Sequence, residues 1–216
     1  MKQTRTVSVV VPTRDRPQFL DQALKSIRAL EGSDLTFEIL VGDNGSNHDA
    51  TSTVTQAHGA RHLIVATAGA GAARNAAMRA ATGEFLAFLD DDDVWTEQHV
   101  RPHLQLFDAY PQIEAIFGQV VMTDPDLLPI ASPIPDAVRP DGDHLKMMLD
   151  GYFPQIGATM LVSGYATPMV ILTRPCWPTR TGTGNCVSRV AGMWSMSRCL
   201  ASCFANDRQD PMMPWC

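Results

Sequence analysis

The sequence predicts an α/β fold in which a doubly wound, mostly parallel sheet is flanked by helices. Short apolar runs typical of buried strands alternate with segments of helical period along the first half of the chain. One apolar run, residues 85–89, leads directly into four consecutive aspartates, residues 90–93. Because ligands of open α/β sheets bind at the carboxyl ends of strands, we expect these carboxylates at a binding site.

Strands and helices are predicted in alternation from residue 7 onward. The strands are predicted at residues 7–12, 37–41, 62–66 and 84–89. The helices are predicted at residues 17–30, from about residue 49, and in an alanine-rich segment that ends at Ala81. In such a sheet the loops that follow the strands share one edge. These loops are residues 12–15, 43–46, 68–74 and 90–93.

The rest of the first 162 residues is less regular. A helix is predicted at 95–107 and a fifth strand at 115–121. Residues 123–143 are rich in proline and aspartate, and we interpret them as a loop or lid over the site. A short helix is expected at 144–149.

The aspartate run has two interpretations. It can be a solvated cluster at a helix N-terminus, where the helix dipole favours negative charge. A buried strand feeding directly into the run favours the second interpretation, a cation site, because neighbouring carboxylates repel one another unless a cation lies between them. Hard oxygen ligands suit Mg2+ or Mn2+, and such an ion can hold a diphosphate.

Two other strand-end segments are ambiguous when taken alone. Residues 68–74, AGAGAAR, follow a strand and open a helix as a dinucleotide fingerprint does, but Arg74 occupies its third glycine position and favours an anionic ligand. Residues 43–46, DNGS, are an ordinary turn sequence that also lies on the expected binding edge. The six histidines show no ligand spacing, and none is assigned to the site.

Composition excludes several classes of protein. The net charge of −6 argues against general nucleic-acid binding, which requires a basic face. No apolar run approaches the roughly 20 residues of a membrane span, and the N-terminus does not resemble a signal peptide. We therefore expect a cytoplasmic protein, with a peripheral membrane association left open.

Taken in order, the motifs resemble those of the family 2 glycosyltransferases, which have the Rossmann-like GT-A fold. The segments are VSVVVPTRDRPQFLDQALKSI, EILVGDNGS and AGAGAARNAAMRAATGEFLAFLDDDDVW, and the resemblance covers about residues 6–162. It implies that a nucleotide-diphosphate sugar donates its sugar to an acceptor hydroxyl with inversion, without a covalent enzyme intermediate.

The resemblance also implies roles for single residues at the donor site. Pro12 and Thr13 would line the nucleoside pocket, and Asp43 would hydrogen-bond the base. Arg74 would lie near the nucleotide, and Asp90 would meet the ribose. These residues occupy the matching positions of the family motifs in this sequence.

The family's LDxDD pattern appears here as residues 89–93. By this match Asp92 would ligate Mg2+ or Mn2+ bridging the diphosphate, with Asp93 beside it. Asp15 stands where the family often has asparagine, and it is included as a polar contact to the donor. A UDP-sugar is the first donor expected, and the acceptor is an unidentified glycan, lipid or small molecule.

The catalytic base remains unassigned. Inversion requires a carboxylate that takes the proton of the acceptor hydroxyl. Family members usually supply it from a later segment resembling GGFDE…EDWDLWLRLA. This chain has SGYATPMVILTRPCWPTRTGTGNCVSRVAG in that region, with no acidic residue between Ser163 and Asn206.

Composition changes abruptly after Val162. The segment 163–216 contains no Glu and no Lys, and it contains all five cysteines of the chain. We interpret it as an aberrant, out-of-frame tail behind a nucleotide-sugar-binding domain at 1–162. In the shifted frame, Met169-Val170 forces Gly and Cys176-Trp177 forces Leu, and the remaining codons permit GYFDETLLADQDWDWQLRLAR. The alternative is a divergent but genuine C-terminal segment.

Two further functions stay open from the sequence. The first is a non-catalytic nucleotide-sugar-binding remnant, which the missing base segment favours. The second is an NAD-dependent oxidoreductase that would use Gly69 and Gly71 of the glycine-rich loop. Binding of a nucleoside diphosphate without binding of NAD would support the remnant and exclude the oxidoreductase.

Overall fold

The computed structural model describes residues 4–45, 47–134 and 154–165 of the 216-residue chain. The strands in this part are β1 (Arg5–Thr13), β2 (Leu35–Asp43), β3 (Arg61–Ile64), β4 (Phe85–Phe88), β5 (Ala115–Phe117) and β6 (Thr159–Val162). The α-helices are α1 (Pro17–Arg28), α2 (His48–Ala57), α3 (Ala70–Ala80) and α4 (Val100–Ala109). Strands and helices alternate through β4, as the sequence predicts.

The strands form one sheet in the order β3-β2-β1-β4-β6-β5. β1 pairs in parallel with β2 and β4, and β2 pairs in parallel with β3. β6 runs antiparallel to both β4 and β5. The predicted mostly parallel, doubly wound sheet is therefore confirmed. Strand order reverses between β1 and β4, which is where such sheets bind ligands.

One face of the sheet is covered by an apolar stripe of α1. Leu20, Leu24 and Ile27 are fully buried together with Val9 and Val11 of β1. The three helical residues recur at intervals of four and three, so one side of the helix lies against the sheet. Burial of each such side chain contributes about 1.5–3 kcal/mol. This layer holds β1, and with it the strand end, in place.

On the opposite face α3 packs closely against β2. Ala73 and Ala77 lie one turn apart and are fully buried, and Ala77 joins the layer that contains Leu40. A Cβ atom at Gly42 would lie 2.3 Å from the backbone oxygen of Ala73, which is closer than side chains approach. Small residues on both elements therefore set the distance between α3 and the sheet. The close packing brings the first turns of α3 to the carboxyl edge.

Several predicted boundaries differ from the structure, and the two largest differences are at α4 and β5. The helix predicted at 95–107 begins only at Val100. Trp95 instead packs on Phe37, with ring centroids 6.0 Å apart, and its backbone N–H binds the hydroxyl of Ser26 at 3.0 Å. These tertiary contacts hold the residue outside the helix. The strand predicted at 115–121 ends at Phe117, and the chain then enters an exposed loop.

β6 is not among the predicted strands, although it fills the sheet between β4 and β5. Its Met160 is fully buried, and Leu161 is nearly so. The strand has four residues, and so short an apolar run does not show its periodicity. Among the described residues, residues 118–134 are a loop with two isolated bridges, Val120↔Ile134 and Thr123↔Pro129.

Other expectations fall on residues that the structure does not describe. These are the last part of the proposed lid, the helix at 144–149, and the segment from residue 166 to the end. The division of the chain at residue 162 thus stays a prediction. In the described part of the chain, no helix has the length and apolar character needed to cross a bilayer.

Candidate functional site

A buried hydrogen bond joins the ends of β1 and β4. Thr13, the last residue of β1, donates from Oγ1 to Oδ2 of Asp91 at 2.7 Å, and both side chains are buried. Burial raises the pKa of Asp91 above its ordinary value, although the Thr13 hydrogen bond and the charge of Arg16 oppose the rise. The buried Asp91 side chain therefore holds the loop after β4 against the end of β1.

Asp90 forms an ion pair with Arg74 of α3. The contact joins Nη2 of the guanidinium to Oδ1 of the carboxylate, and both side chains are partly buried. The Nε atom of Arg74 is buried and has no hydrogen-bond partner among the described residues. A guanidinium with an unused donor at a strand-end site is suited to an anionic ligand.

Asp92 and Asp93 occupy different surroundings in the same loop. Asp92 is half-exposed and pairs with Nη1 of Arg16 at 2.9 Å. Burial raises the pKa of Asp93, and so do the negative charges of Asp90, Asp92 and Asp91. Burial and the neighbouring charges each oppose ionisation of Asp93, whereas a nearby cation would favour it.

The donor atoms of this loop fit a hard divalent cation. Carboxylate oxygens are the ligands that Mg2+ and Mn2+ prefer, and Mg2+ is commonly held by one or two carboxylates with phosphates and waters completing its shell. Gly157 lies close to this loop, because a Cβ atom there would lie 3.2 Å from Oδ2 of Asp93 and would crowd that oxygen. Asp92 and Asp93 are thus adjacent carboxylates, and the glycine keeps a side chain away from one of them.

Asp43, the last residue of β2, is fully buried and receives three hydrogen bonds. Its Oδ1 accepts from the backbone N–H of Gly45 at 2.9 Å. Its Oδ2 lies 2.8 Å from Nδ1 of His48 and 2.9 Å from Nε2 of His62. Burial raises the pKa of Asp43, but the hydrogen bonds from His48, Gly45 and His62 outweigh it and leave the pKa below its ordinary value. The carboxylate is thereby held ionised and oriented.

Sequence reasoning missed both histidines of this cluster. It left His48 and His62 out of the site because their spacing matches no ligand motif. The structure joins them because His62 of β3 lies opposite Val41 of β2, while α2 begins at His48. Their position could have identified them, because each histidine lies near the start of an element that neighbours the strand ending in Asp43.

Arg16 was also missed, and the structure shows it beside the aspartate run. Its Nη1 lies 2.9 Å from Asp92 and 3.6 Å from Asp91. The residue directly precedes α1 and is half-exposed. Within the loop after β1, it therefore supplies a cation to the loop after β4.

Asp15 organises the contact between the loops after β1 and β2. Its backbone adopts a φ of 55°, in the left-handed region. Its Oδ1 accepts a hydrogen bond from the backbone N–H of Asn47 at 2.9 Å. A Cβ atom at Gly45 would lie 2.6 Å from the same oxygen, so the missing side chain allows the close approach. Pro12 is buried within β1, opposite Gly42.

The residues expected at the site fall into two neighbouring groups. Thr13, Arg74 and residues 90–93 meet around the ends of β1 and β4, whereas Asp43 lies at the end of β2. The two groups are adjacent because Thr13 and Asp43 are paired residues of neighbouring strands.

Such a sheet, with carboxylates and guanidinium groups at its reversal point, defines a doubly wound α/β domain of the kind that binds ligands at that point. The chain belongs to glycosyl transferase family 2, whose family model matches residues 8–140. The resemblance inferred from the sequence motifs is therefore confirmed.

Individual relatives agree with this membership. The chain is 33% identical over 106 residues to an uncharacterized glycosyltransferase of Nostoc sp., a match that covers 47% of this chain and 32% of the relative. It is 37% identical over 93 residues to the GalNAc(5)-diNAcBac-PP-undecaprenol beta-1,3-glucosyltransferase of Campylobacter jejuni, covering 40% and 29%. The matches thus span about a third or less of these two relatives.

The fold is similar to that of solved GT-A glycosyltransferases. One is glucosyl-3-phosphoglycerate synthase from Mycobacterium tuberculosis in complex with Mn2+, uridine-diphosphate-glucose and phosphoglyceric acid. Its TM-score is 0.52 at 19% sequence identity, and the match covers 74% of this chain and 58% of the synthase. The predicted GT-A fold is confirmed by this likeness.

Proposed function

We propose that this chain binds a nucleotide-diphosphate sugar at the carboxyl edge of its sheet and provides the donor side of an inverting, metal-assisted sugar transfer to an acceptor hydroxyl. The aspartate loop after β4 is the observation on which the proposal depends. There Asp93 is surrounded by carboxylates that raise its pKa, and Asp92 lies beside it. Membership of glycosyl transferase family 2 supports a transferase over the NAD-dependent oxidoreductase.

Asp92 and Asp93 would hold Mg2+ or Mn2+ at this loop. The bound ion would offset the negative charge that grows on the nucleoside diphosphate as the sugar departs. Arg16 and Arg74 lie on either side of the loop, each paired with one of its aspartates. Their guanidinium groups would bind phosphate oxygens, which they match in charge and in geometry.

The nucleoside would lie between the ends of β1 and β2. Three N–H donors orient the buried carboxylate of Asp43, which would hydrogen-bond the base. Asp90 would contact the ribose, and Pro12 and Thr13 would form the buried floor of the pocket. Asp15 would act as a polar contact to the donor.

The substrates to test first follow from the relatives. The name of the Campylobacter relative describes transfer of glucose to an undecaprenol-diphosphate-linked acceptor. The fold neighbour from Mycobacterium was solved with uridine-diphosphate-glucose. We therefore propose UDP-glucose as the first donor and a lipid-linked sugar as the first acceptor class.

A second candidate, a non-catalytic binding remnant, is favoured by the tail. No acidic residue lies between Ser163 and Asn206, so the base expected in that region is missing. We propose that residues 163–216 are read out of frame and that this chain binds donor with little or no transfer. Sequencing the encoding DNA across codons 155–216 tests the frame: an additional base near codon 163 would restore the acidic segment.

Binding and transfer are measured separately to distinguish the candidates. UDP binding by calorimetry should require Mn2+ and disappear with a chelator. The double variant Asp92→Asn/Asp93→Asn should weaken binding at least about tenfold, a loss of about 1.4 kcal/mol. Asp108→Asn, an exposed acid of α4 that pairs with Arg5 at the start of β1, is the matched control and should not change it. UDP binding that is indifferent to the chelator and to the double variant would contradict the metal site.

Transfer is followed as release of UDP from UDP-glucose in the presence of acceptor. Little release beside normal UDP binding supports the remnant. Efficient release by this chain would show that it contains a base outside the expected segment. Binding of NAD without binding of UDP would instead favour the oxidoreductase.

A further inference from the structure

Three potential metal ligands from three different elements converge beside the end of β2. Asp43 ends β2, His48 begins α2 and His62 lies on β3. One carboxylate oxygen and two imidazole nitrogens all lie within 4.8 Å of one another. In the described part of the chain, no other three His, Cys, Asp or Glu side chains meet this distance.

The fold determines this convergence. His62 pairs with Val41, and Asp43 follows Val41 by two residues. Alternate residues of a strand share a face, so Asp43 and His62 project from the same side of the sheet. His48 reaches that side from the first turn of α2. Asp43 is fully buried, whereas the His48 side chain is 34% exposed, which leaves a path from solvent to the cluster.

We propose that Asp43, His48 and His62 form a binding site for a divalent transition-metal ion of the Zn2+ type. Two imidazole nitrogens and one carboxylate oxygen are the ligand set of zinc sites that keep a fourth position open. Imidazole favours zinc and its neighbours over Mg2+, so this site differs in selectivity from the carboxylates of the aspartate loop.

The geometry requires only a small adjustment to accept such an ion. Ligands about 2.0–2.1 Å from a tetrahedral Zn2+ lie about 3.4 Å from one another. Oδ2 of Asp43 is 2.8 Å from the nitrogen of His48 and 2.9 Å from that of His62. Each separation must therefore open by roughly half an ångström. Rotation of the partly exposed His48 ring provides part of this movement.

The charges of the cluster also favour a cation. The ion-pair partners of Asp43 among the described residues are these two histidines, which are cationic only when protonated. With both rings neutral, a buried carboxylate retains its negative charge and relies on hydrogen bonds. A divalent ion would replace the two imidazole hydrogen bonds by coordination. Each ring keeps its single proton, which moves to the nitrogen that faces away from the ion.

Occupancy of this site has a consequence for the proposed function. Asp43 is also the residue proposed to contact the base, so the ion and the base would share one carboxylate. We expect Zn2+ to lower the affinity for UDP. The metal site itself does not depend on the proposed function, because its ligands and its binding are independent of a nucleotide.

The test measures Zn2+ binding to the full chain by calorimetry, without nucleotide. All five cysteines are first alkylated, so that thiolates do not contribute. The unsubstituted chain should bind one equivalent, and His48→Ala and His62→Ala should each weaken binding at least about tenfold. His58→Ala is the matched control, because the His58 ring lies 2.7 Å from Asp21 and outside the cluster, and this variant should bind Zn2+ as the unsubstituted chain does.

A second readout covers the case in which a variant folds poorly. Zn2+ should raise the thermal midpoint of the unsubstituted chain and of His58→Ala, but not that of His62→Ala, whose fold is checked by circular dichroism. Absence of saturable binding to the alkylated chain would overturn the proposal, as would equal affinity in all three histidine variants. UDP binding with Mn2+ is measured in parallel, so failure of the proposed function is seen separately.

Discussion

The hydroxyl of Thr13 donates a 2.7 Å hydrogen bond to the carboxylate of Asp91 at the point where the strand order of the sheet reverses. Because both side chains are buried, this bond ties the loop after β4 to the end of β1. One member of the aspartate run is thus used to hold the loop. Of the other three, Asp90 pairs with Arg74 and Asp92 pairs with Arg16, and Asp92 and Asp93 are the carboxylates proposed to hold the metal ion.

Thr13→Val should destabilise the protein by about 1–3 kcal/mol, because it removes the donor from a buried carboxylate and leaves the shape of the side chain unchanged. The free energy of unfolding in urea measures the loss. Thr36→Val is the matched control, since Thr36 is exposed on the neighbouring strand, and it should change stability by less than about 0.5 kcal/mol. Equal effects at the two positions would show that the Asp91 contact contributes nothing.

Arg74→Gln should weaken UDP binding about tenfold while the fold is retained. The substitution removes the cation that pairs with Asp90 and that has an unused buried donor at Nε. Arg79→Gln serves as control, because Arg79 is exposed on the last turn of the same helix. Calorimetric titration with UDP and Mn2+ compares the two variants, and unchanged affinity in Arg74→Gln would remove this residue from the proposed site.

Gly42→Ala should destabilise the protein by about 1–3 kcal/mol. The new Cβ atom would lie 2.3 Å from the backbone oxygen of Ala73, so α3 must move away from the sheet. Gly164→Ala places a Cβ atom with no described atom within 4 Å, and it should be nearly neutral. Thermal midpoints of the two variants give the comparison. A neutral Gly42→Ala would mean that α3 shifts without cost.

Stability should decline below about pH 6.5 because of two histidines of α4 and the turn before it, of which His103 is buried and His99 is partly buried. Burial lowers the pKa of His99 to about 3, with the charge of His103 adding to this, and burial lowers the pKa of His103 to about 4. An unfolded chain takes up these protons near pH 6.5, whereas the folded chain does not until pH 3–4. Between these limits each histidine removes about 1.4 kcal/mol of stability per pH unit as the pH falls.

The test is urea unfolding at several values between pH 7.5 and 4.5 for the unsubstituted chain and for His103→Leu. As the pH falls, the variant should lose stability less steeply, because the slope of its unfolding free energy against pH lacks the contribution of about one proton. Carboxylates with lowered pKa values, such as Asp21 and Asp43, make stability fall in acid in both proteins. The difference between the two slopes of unfolding free energy against pH therefore gives the contribution of His103. Parallel pH profiles would indicate that His103 protonates freely in the fold.

Much of the fold follows from local patterns. The β-branched run at residues 7–11 and the closing Pro12 identify β1, and the spacing of Leu20, Leu24 and Ile27 identifies α1. These signals are local because strand and helix periods are expressed within a few residues. The start of α4 was not predicted, because it depends on contacts of Trp95 with residues distant in the chain. The strand β6 was not predicted, because it depends on pairing with β4 and β5.

The sequence by itself determined the order of the strands and helices through β5, the position of the aspartate run after a buried strand, and the resemblance to glycosyl transferase family 2. Only the tertiary structure decided that Asp91 points inward to Thr13, and that His48 and His62 meet at Asp43. The reason is physical: the periods that define an element lie in neighbouring residues, whereas contacts between elements depend on strand register and helix packing, which join residues far apart in the chain.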